Sequence, residues 1–545
     1  MPRDLAAEAP PQQRPRARLL QTGWRTPVGW ESEVNELARR RELAQAMGGA
    51  EGIARQHAGG KLTVRERIER LADAGSWREY RSLVGSSTYS EDGELASFTP
   101  KGAVEGSCTL DGRKVIVSAG DFTVRGGSGG SDRGGLGMEP AINVRALESR
   151  LPFVRLLDAA GGSVKTFEEL GRTYLPDGNT FTWPDIALMR AVPVVSAVMG
   201  SVAGLPAVQA CFAHFNLMVK GTSHLFPGGP PVVKAALGYD ITKEELGGYE
   251  IHTRQSGVID NLAQDEDEAF AMIRRFLSYL PPNVWEMAPR VNPTDDPRRR
   301  EESLLSIIPR DRRRAYDAHK IVNAVVDRDS FFEIAPAYGR ARITGLARID
   351  GYPVAVMANN PMFGASTDVA AGEKVMRLMA LCDTFHLPLV SFADEPGFMV
   401  GIDSERKGIE RAGARLVMAV CDSQMPWATI VVGQLYGVAG QCQHRPTGMF
   451  QRSCWPSSNW GSMHIEGGAQ AAYRRQIESA PDPDAERRAI EGRLKAIASP
   501  FRTAEATGQE IIDPRETRSV LCEFVADAQP ILRSQLGPAL FPYRP

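Results

Sequence analysis

Three segments from the first half of the chain recur, in the same order, in the second half. The paired segments share apolar stretches with proline, glycine or aspartate at matching places: LPFVRLLDAAG (151–161) with LPLVSFADEPG (387–397), GRKVIVSAGD (112–121) with GYPVAVMANN (351–360), and VPVVSAVMGSVAG (192–204) with MPWATIVVGQLYG (425–437). One such match between buried strands can arise from shared composition, but three in the same order are hard to produce by chance. The chain is therefore predicted to consist of two homologous halves.

The duplication fixes the expected domain organisation. The chain has 545 residues, more than one ordinary core holds. The segment 289–303 is polar, charged and proline-containing, as interdomain linkers are. We therefore predict a first domain over 31–290 and a second over 300–545. Residues 1–30, rich in Pro, Arg and Gln, are predicted to form a loosely ordered tail.

Apolar periodicity indicates an α/β fold. Residues 31–72 and 265–279 have helical periodicity. RKVIVS at 113–118, LPFVRLLD at 151–158 and VPVVSAVM at 192–199 are typical of buried strands. Strands that alternate with helices in each half predict two α/β domains.

Composition excludes several function classes. The net charge is −2, so the chain has no general attraction for nucleic acid or for anionic membranes. No run approaches the ~20 apolar residues needed to span a bilayer. The N-terminal sequence lacks the apolar region of a secretory signal. The seven cysteines are scattered and form no C-x-x-C pair, which favours free thiols in a reducing cytosol, and a cytoplasmic location is expected.

Each repeated strand ends in a glycine turn that leads into a predicted helix. These turns are Asp158–Ser163 and Gly200–Gly204 in the first half, and Asp394–Phe398 and Gly433–Ala439 in the second. Such a turn directs free N–H groups to one point beside the positive end of a helix. The turns are therefore suited to holding an oxyanion, and loss of one such donor typically costs about 3–4 kcal/mol of transition-state stabilisation.

Other motifs are weak. The glycine run Gly126–Gly130 formally places Ser128 in the G-x-S-x-G pattern of serine hydrolases, but a glycine run satisfies that pattern almost automatically. The same run contains neither G-x-G-x-x-G nor a Walker loop. It is interpreted as a loop.

No side-chain cluster indicates a metal or an acid–base pair. The eight histidines show no H-E-x-x-H spacing, and His214 and His224 are poorly placed to share a metal. Asp394 and Glu395 are adjacent, and neighbouring residues of a strand point to opposite faces, so a carboxylate dyad is disfavoured. The glycine turns remain the best candidates for chemistry.

Several longer segments resemble one family. The chain resembles the carboxyltransferase (β) subunits of biotin-dependent acyl-CoA carboxylases, the propionyl-CoA and methylcrotonyl-CoA carboxylase group. The resemblance extends over roughly 30–470 and more weakly to about 525, and rests on the following segments: GGKLTVRERIERLAD (59–73), DFTVRGGS (121–128), MVKGTSHLF (218–226), GGPPVVK (228–234), ITKEELGGYEIHTRQSGV (241–258), DEPGFMVG (394–401) and LYGVAG (435–440).

The resemblance implies a fold, a reaction and partners. The fold would be α/β, with tandem duplicated crotonase-like (ClpP/crotonase) β-β-α superhelix domains. A partner carrying biotin carboxylase and biotin carboxyl carrier functions would deliver carboxybiotin, and an acyl-CoA would bind across a dimer interface, with a hexamer as the expected assembly. Two backbone oxyanion holes would hold the thioester and ureido oxygens. The biotin nitrogen would take the α-proton, so neither a protein base nor a metal is expected.

The resemblance also implies site residues. The first amide pair corresponds to Gly161 and Gly162, with a register uncertainty of one residue because the turn is one residue longer here. The second pair corresponds to Val438 and Ala439. The predicted substrate-binding residues lie around these pairs: Gly126, Gly127, Gly204, Phe398, Gly437 and Gln441. Arg125, Lys165 and Lys220 are candidates for the CoA phosphates.

The second turn departs from the family pattern. Gln441 stands where short-chain enzymes carry Asp, and Leu205 follows Gly204 where a second glycine is common. The acyl chain is therefore left open. Three alternatives remain beside the carboxylase: a biotin-dependent decarboxylase subunit, a non-catalytic scaffold subunit, and a serine hydrolase at Ser128.

Overall fold

The computed structural model of the chain describes residues 29–127, 141–162, 164–173, 178–293, 295–312, 314–445 and 447–545. The predicted tail therefore lies almost entirely outside the described residues. Ser128, and with it the possible hydrolase motif, also lies outside them.

Each half contains one large sheet with strands in the same order. The first-half strands are β1 (Arg78–Tyr80), β2 (Gly85–Tyr89), β3 (Leu95–Pro100), β4 (Ala103–Leu110), β5 (Arg113–Gly120), β6 (Phe153–Ala159), β7 (Val194–Ala203), β8 (Phe215–Val219), β9 (His224–Phe226) and β10 (Asn261–Ala263). The second-half strands are β11 (Phe332–Glu333), β12 (Arg342–Ile349), β13 (Tyr352–Asn359), β14 (Leu389–Glu395), β15 (Trp427–Tyr436), β16 (Phe450–Cys454), β17 (Asn459–Gly461) and β18 (Glu510–Ile511).

Helices cover both sheets. The first half contains α1 (Glu31–Gln45), α2 (Gly49–Ala58), α3 (Val64–Leu71), α4 (Ile142–Ser149), α5 (Lys165–Leu170), α6 (Gly178–Leu188), α7 (Leu205–Cys211), α8 (Pro230–Leu237), α9 (Lys243–Gly247) and α10 (Glu266–Ser278). The second half contains α11 (His319–Val325), α12 (Val369–Phe385), α13 (Ile402–Arg406), α14 (Ile409–Asp422), α15 (Gly437–Gln441), α16 (Ile465–Ala472), α17 (Arg474–Ser479), α18 (Pro483–Ile497), α19 (Pro500–Thr507) and α20 (Thr517–Ser534).

Strand pairing confirms the duplication. The first sheet has the order β1-β4-β5-β6-β7-β8-β10, with β9 paired to β7, and the second has the order β11-β12-β13-β14-β15-β16-β18, with β17 paired to β15. In both sheets the first three strands are antiparallel and the following strands are parallel. A β2–β3 hairpin stands apart. Parallel strands joined by helices bring the carboxyl ends of β6 and β7, and of β14 and β15, to one edge of each sheet.

The predicted elements are confirmed with two refinements. The helical region predicted at 31–72 is three helices, because Gly48 and the Gly59–Thr63 segment interrupt it. The strand predicted at 192–199 extends to Ala203, because its end pairs with β9. The helix predicted at 265–279 is α10, capped by the Asp265 side chain.

One continuous core joins the halves. Its members include Phe276 and Leu280 from the first half and Leu346 and Phe385 from the second, all essentially without solvent exposure. The carboxylate of Asp260 pairs with Arg377 across the junction at 2.7 Å. The glycine turns of both halves are therefore attached to one packed body.

Two further properties concern membrane-spanning helices and the cysteine thiols. None of the described helices combines the length and apolar character that crossing a bilayer requires. The seven cysteines are free thiols, and burial raises the pKa of Cys108, Cys382 and Cys442, among others.

Candidate active site

The first half carries a β-bulge where β6 ends. The register with β7 shifts between Leu157 and Ala159, which turns the fully buried Asp158 toward β7. A Cβ at Gly200 would lie 2.1 Å from Asp158 Oδ1, so only glycine fits opposite this carboxylate. The Asp–Gly contact fixes how β6 and β7 approach each other just before the turn.

Two cations neutralise Asp158. Lys61 Nζ lies 2.9 Å and Arg67 Nη1 lies 3.0 Å from Asp158 Oδ2, and Gln56 also donates to this oxygen. Arg67 is itself buried and holds Glu266 through two further hydrogen bonds of 2.8 Å. A buried charge network of this kind is stable only when every member is paired. The GGKLTVRER segment therefore serves to anchor the first turn.

The second half repeats the bulge with different partners. The register of β14 shifts between Ala393 and Glu395, and a Cβ at Gly433 would lie 2.1 Å from Asp394 Oδ1. Within the described part of the chain, by contrast, the acceptor contacts of Asp394 are with neutral groups, the Tyr316 hydroxyl at 2.8 Å and the Gln434 amide at 2.6 Å. The same strand geometry is thus held by charge in one half and by neutral donors in the other.

Asp394 and Glu395 have separate environments, which agrees with the prediction that they form no dyad. Glu395 is fully buried, pairs with Arg342 and accepts from Thr367 Oγ1 at 2.6 Å. Burial lowers the pKa of Arg342, which stays in direct contact with this carboxylate. The Glu395 carboxylate is therefore committed to structure.

The first glycine turn follows β6. Gly161 has a φ of +83°, and a Cβ there would lie 2.6 Å from the Ala203 carbonyl oxygen, so glycine is required. The turn is backed by Gly126, whose carbonyl accepts from the Ala160 amide at 2.9 Å. Among the described residues, no acceptor lies within hydrogen-bond distance of the Gly161 and Gly162 amides. This turn therefore presents two adjacent donors.

In the equivalent turn of the second half, one of the two corresponding amides is occupied. The Gly397 amide, equivalent to that of Gly161, donates to Glu395 Oε1 at 3.0 Å. The Gly397 carbonyl in turn accepts from the Thr367 amide. This turn is therefore closed by its own hydrogen bonds.

The second glycine turn joins β15 to α15. Gly437 has a φ of +62°, and Tyr436 is the extended N-cap residue, with no side chain capping the helix. Val438 and Ala439 lie in the first turn of α15, where amides have no partner within the helix. Among the described residues neither amide meets an acceptor. Val438 is not among the positive-φ residues, so a valine at this position leaves the backbone donor intact.

The equivalent turn of the first half, Gly204–Pro206, does not offer two backbone amides. The Gly204 amide donates to the Pro227 carbonyl at 3.1 Å. Leu205 follows, and then Pro206, which has no N–H and occupies the position equivalent to Ala439. Gly204, predicted to bind substrate, therefore shapes the turn and packs near Gly161 but offers no free amide.

The halves are complementary at this edge. The first half keeps a donor pair after β6, and the second keeps one after β15. Pro206, at the position equivalent to Ala439, marks the first-half turn that lacks one of the two donors, a signal present in the sequence. Two preorganised pairs can hold two developing oxyanions.

The remaining predicted residues are scattered around these turns. Gly127 has a φ of +67° and packs on the carbonyl of Asp158. Gln441 is exposed on α15, whereas the ring of Phe398 packs against Gly413 of α14, which makes a core contact. Arg125, Lys165 and Lys220 are exposed, and Lys220 Nζ lies 5.8 Å from the centre of the Tyr249 ring.

A cavity of about 920 Å³ lies at the junction between the halves rather than at the turns. It is lined by Asp260, Arg377 and Tyr543, and by Lys374, whose pKa burial lowers to about 8. The described residues contain no cluster of three His, Cys, Asp or Glu side chains that could hold a metal.

Comparison with known proteins assigns the fold and the family. The family model described as the carboxyl transferase domain matches residues 55–529. A propionyl-CoA carboxylase carboxyltransferase subunit from Haloferax mediterranei is 36% identical and covers 90% of this chain and 95% of its own length. A methylmalonyl-CoA decarboxylase subunit alpha from Veillonella parvula is 32% identical and covers 91% of this chain and 96% of its own length.

A solved structure gives the same result. The transcarboxylase 12S structure, described as a hexamer assembly with methylmalonyl-coenzyme A and methylmalonic acid bound, superposes with a TM-score of 0.81. It is 30% identical and covers 92% of this chain and 96% of that one. The predicted duplicated crotonase-like fold is confirmed.

Proposed function

The chain belongs to the carboxyl transferase family, and we propose that it moves a carboxyl group from biotin on a separate partner protein to the α (or vinylogous) carbon of an acyl-CoA. It is the carboxyltransferase component of a biotin-dependent acyl-CoA carboxylase. The observation that carries the proposal is the two pairs of adjacent amides, at Gly161–Gly162 and Val438–Ala439, that meet no acceptor among the described residues.

The amide pairs supply the chemistry that this reaction needs. Removing the α-proton of a thioester places negative charge on the carbonyl oxygen, and two fixed N–H groups stabilise that charge without reorganisation. One pair would hold the thioester oxygen and the other the ureido oxygen of biotin. Biotin carried by the partner would supply the CO2 and a ureido nitrogen able to take the α-proton, while the chain's own amide pairs would hold the two oxygens in place.

The chain's own carboxylates are not needed as bases. Asp158 is held by Lys61 and Arg67, and Glu395 by Arg342. Asp394 accepts from Tyr316 and Gln434. Each carboxylate therefore fixes backbone geometry behind a turn, and the proton is transferred between the two substrates.

Substrate choice is proposed to lie beside the second turn. Val438 is half exposed and Gln441 is exposed on the same short helix, so both side chains face the space in front of the Ala439 amide. An uncharged Gln441 favours an apolar acyl chain more than a carboxylate would. Arg125, Lys165 and Lys220 are proposed to contact the CoA phosphates.

We also propose an assembly in which both halves complete each site. The first-half turn of one protomer would face the second-half turn of another, in a dimer-based hexamer like the one named for transcarboxylase 12S. Biotin would arrive on a separate biotin carboxylase and carboxyl carrier subunit. A sealed, water-poor site between two protomers would strengthen the amide–oxyanion contacts.

The test is carboxylation by the reconstituted enzyme. Purified chain and a biotinylated partner are incubated with ATP, bicarbonate and a panel of acyl-CoAs from acetyl to branched and long-chain. Fixation of labelled bicarbonate into at least one acyl-CoA is expected, and it should require this chain. Failure with every acyl-CoA, while the partner still carboxylates free biotin, would refute the proposal.

One alternative direction has specific support, namely the identity to the Veillonella decarboxylase subunit over nearly its full length. The same amide pairs would then stabilise the enolate left by loss of the carboxyl group. Transfer from methylmalonyl-CoA to free biotin, compared with the forward rate under matched conditions, distinguishes the directions. A chain that works only in the reverse direction supports the decarboxylase.

A further inference from the structure

Gln434 lies on β15 just before the second glycine turn, and it contacts both Asp394 and His464. Its amide donates to Asp394 Oδ1 at 2.6 Å, and its side-chain Oε1 lies 2.9 Å from Nε2 of His464. Two residues later Tyr436 becomes the N-cap of α15. The position of Gln434 therefore determines where β15 ends and where the Val438 and Ala439 amides begin.

His464 contacts this strand in two ways. Its Nε2 meets Gln434, and its ring lies 4.7 Å from the Tyr436 ring, centre to centre, with a tilt of 36°. Tyr436 is almost completely buried. No side chain caps α15, and the N-cap residue Tyr436 is held both by its pairing with Gly461 of β17 and by the contact of its ring with His464.

Both ring nitrogens of His464 have oxygen partners. Its Nδ1 lies 3.0 Å from Glu466 Oε2, and its Nε2 lies 2.9 Å from Gln434 Oε1. Lys495 lies 2.7 Å from the other Glu466 oxygen. Although burial opposes it, the hydrogen bonds from Lys495 and His464 lower the pKa of Glu466 to about 2.

The equivalent position in the first half has different contacts. Ser201 occupies the position equivalent to Gln434, and it contacts His224 Nδ1 at 3.3 Å and Lys243 Nζ at 3.2 Å. Burial lowers the pKa of His224, which favours its neutral form. His224 also has a second partner, since its Nε2 lies 3.3 Å from Glu244. The second half differs in the residue that ends the strand: Ala203 is equivalent to Tyr436, whose ring contacts the His464 ring and so joins the histidine to the N-cap of α15.

We propose that His464 is a positioning residue for carboxyl transfer. It fixes Gln434 and Tyr436 and thereby aims the Val438 and Ala439 amides at the oxyanion. This inference rests on the proposed function, because it gives a purpose to the amide pair assigned there. His464 itself need not touch either substrate.

The test uses a cavity variant and chemical rescue. His464→Gly in the complete carboxylase, assayed with the best acyl-CoA of the substrate panel, should lower kcat about 10-fold, less than direct removal of an oxyanion donor. The KM values for acyl-CoA and for the biotinylated partner should change little, because the loss appears mainly in the transition state. Added imidazole should restore at least about a third of the lost rate, since the ring is partly exposed and its site is open.

Two matched variants separate positioning from folding. His464→Phe keeps a ring beside Tyr436 but removes both ring nitrogens and their contacts with Gln434 and Glu466, so it should match the loss of His464→Gly and resist imidazole rescue. His57→Gln breaks a surface His–Glu pair of the same kind, with Glu66, and should leave kcat within about twofold.

The outcomes are distinct. Inactive wild-type enzyme with every acyl-CoA refutes the proposed function itself. Active wild type, together with full activity in His464→Phe, overturns the role of His464 alone. Loss of activity in His464→Gly without any imidazole rescue, accompanied by a lower melting temperature, assigns His464 to stability and also overturns the inference.

Discussion

The two halves of this chain have the same strand order, but they differ in which glycine turn offers adjacent backbone amides. The first half keeps adjacent amide donors after β6, at Gly161 and Gly162, and ends its other turn with Pro206. In the second half the Gly397 amide, equivalent to that of Gly161, donates to Glu395, and the adjacent donors follow β15. Duplication has therefore yielded two different half-sites, and a complete site for two oxyanions needs one of each.

The halves also differ in what holds the turns. Asp158 pairs with Lys61 and Arg67, while Asp394 accepts from Tyr316 and Gln434. A charge network resists change, because removing one member leaves the others buried and unpaired. Neutral hydrogen bonds permit more divergence, and the departures at Val438 and Gln441 lie in the half that uses them.

The largest expected effect comes from making the second turn like the first. Ala439→Pro introduces the residue found at the equivalent Pro206, so the backbone has a precedent for it. Loss of the amide should lower kcat about 100- to 1000-fold. Pro206→Ala is the matched control and should leave kcat within about twofold. Equal activity in both variants would show that the second turn holds no oxyanion.

The carboxylates test the difference in anchoring. Asp158→Asn leaves Lys61 without its anion and the buried Arg67 with Glu266 alone, and it should cost about 3–5 kcal/mol of folding stability. Asp394→Asn disturbs only neutral hydrogen bonds and should cost about 1–2 kcal/mol. Denaturant unfolding of each variant measures the two losses, and similar values would contradict the contrast.

Substitution of the glycines opposite these carboxylates tests the same difference in anchoring by steric means. Gly200→Ala and Gly433→Ala each place a Cβ about where a carboxylate oxygen now lies. Overpacking of this kind costs about 1–3 kcal/mol. Since Asp158 is clamped by cations, Gly200→Ala should lie at the upper end and Gly433→Ala at the lower end. The melting temperatures of the two variants report the order, which should not be reversed.

The smallest expected effect concerns the first strand of each sheet. Glu79 of β1 pairs with Arg65 at 2.9 Å, and the equivalent Glu333 of β11 pairs with His319 at 3.0 Å. The hydrogen bond that the His319 ring donates to the Glu333 carboxylate raises the pKa of His319 above 6.5. The stability gained from this pair is therefore complete below about pH 6.5 and is lost as pH rises through the raised pKa.

Stability measured against pH checks this difference. His319→Gln should flatten the loss of stability above neutral pH by less than about 1 kcal/mol, because a third of the ring is exposed. Arg65→Gln should lower stability by a similar amount at every pH in this range. A pH-dependent effect of Arg65→Gln would refute the comparison.

Much of the fold could be predicted from the sequence because its buried parallel strands are apolar runs that end in glycine turns. LPFVRLLD and VPVVSAVM became β6 and β7, and their second-half equivalents became β14 and β15. The same argument pointed to the glycine turns, and the assignment of Gly161–Gly162 and Val438–Ala439 as the donor pairs stays a prediction drawn from the family resemblance. Pro206 could also have shown that the first-half turn lacks one donor, since proline has no N–H.

Other features depend on contacts between residues that are far apart in the sequence, and they could not be predicted from it. The Gly397 amide is taken by Glu395 only because Arg342 and Thr367 fix that side chain. His464 lies well beyond Gln434 in sequence, and its link to the turn depends on where β17 pairs with β15. Periodicity predicts elements, whereas these hydrogen bonds follow from tertiary packing.

A structure of the assembled carboxylase with an acyl-CoA and biotin bound tests the central claim most directly. The account predicts one ligand oxygen about 3 Å from the amides of Gly161 and Gly162, and the other about 3 Å from those of Val438 and Ala439. The two turns should come from different protomers. Ligand oxygens bound instead at Leu205 or at Gly397 would contradict the account.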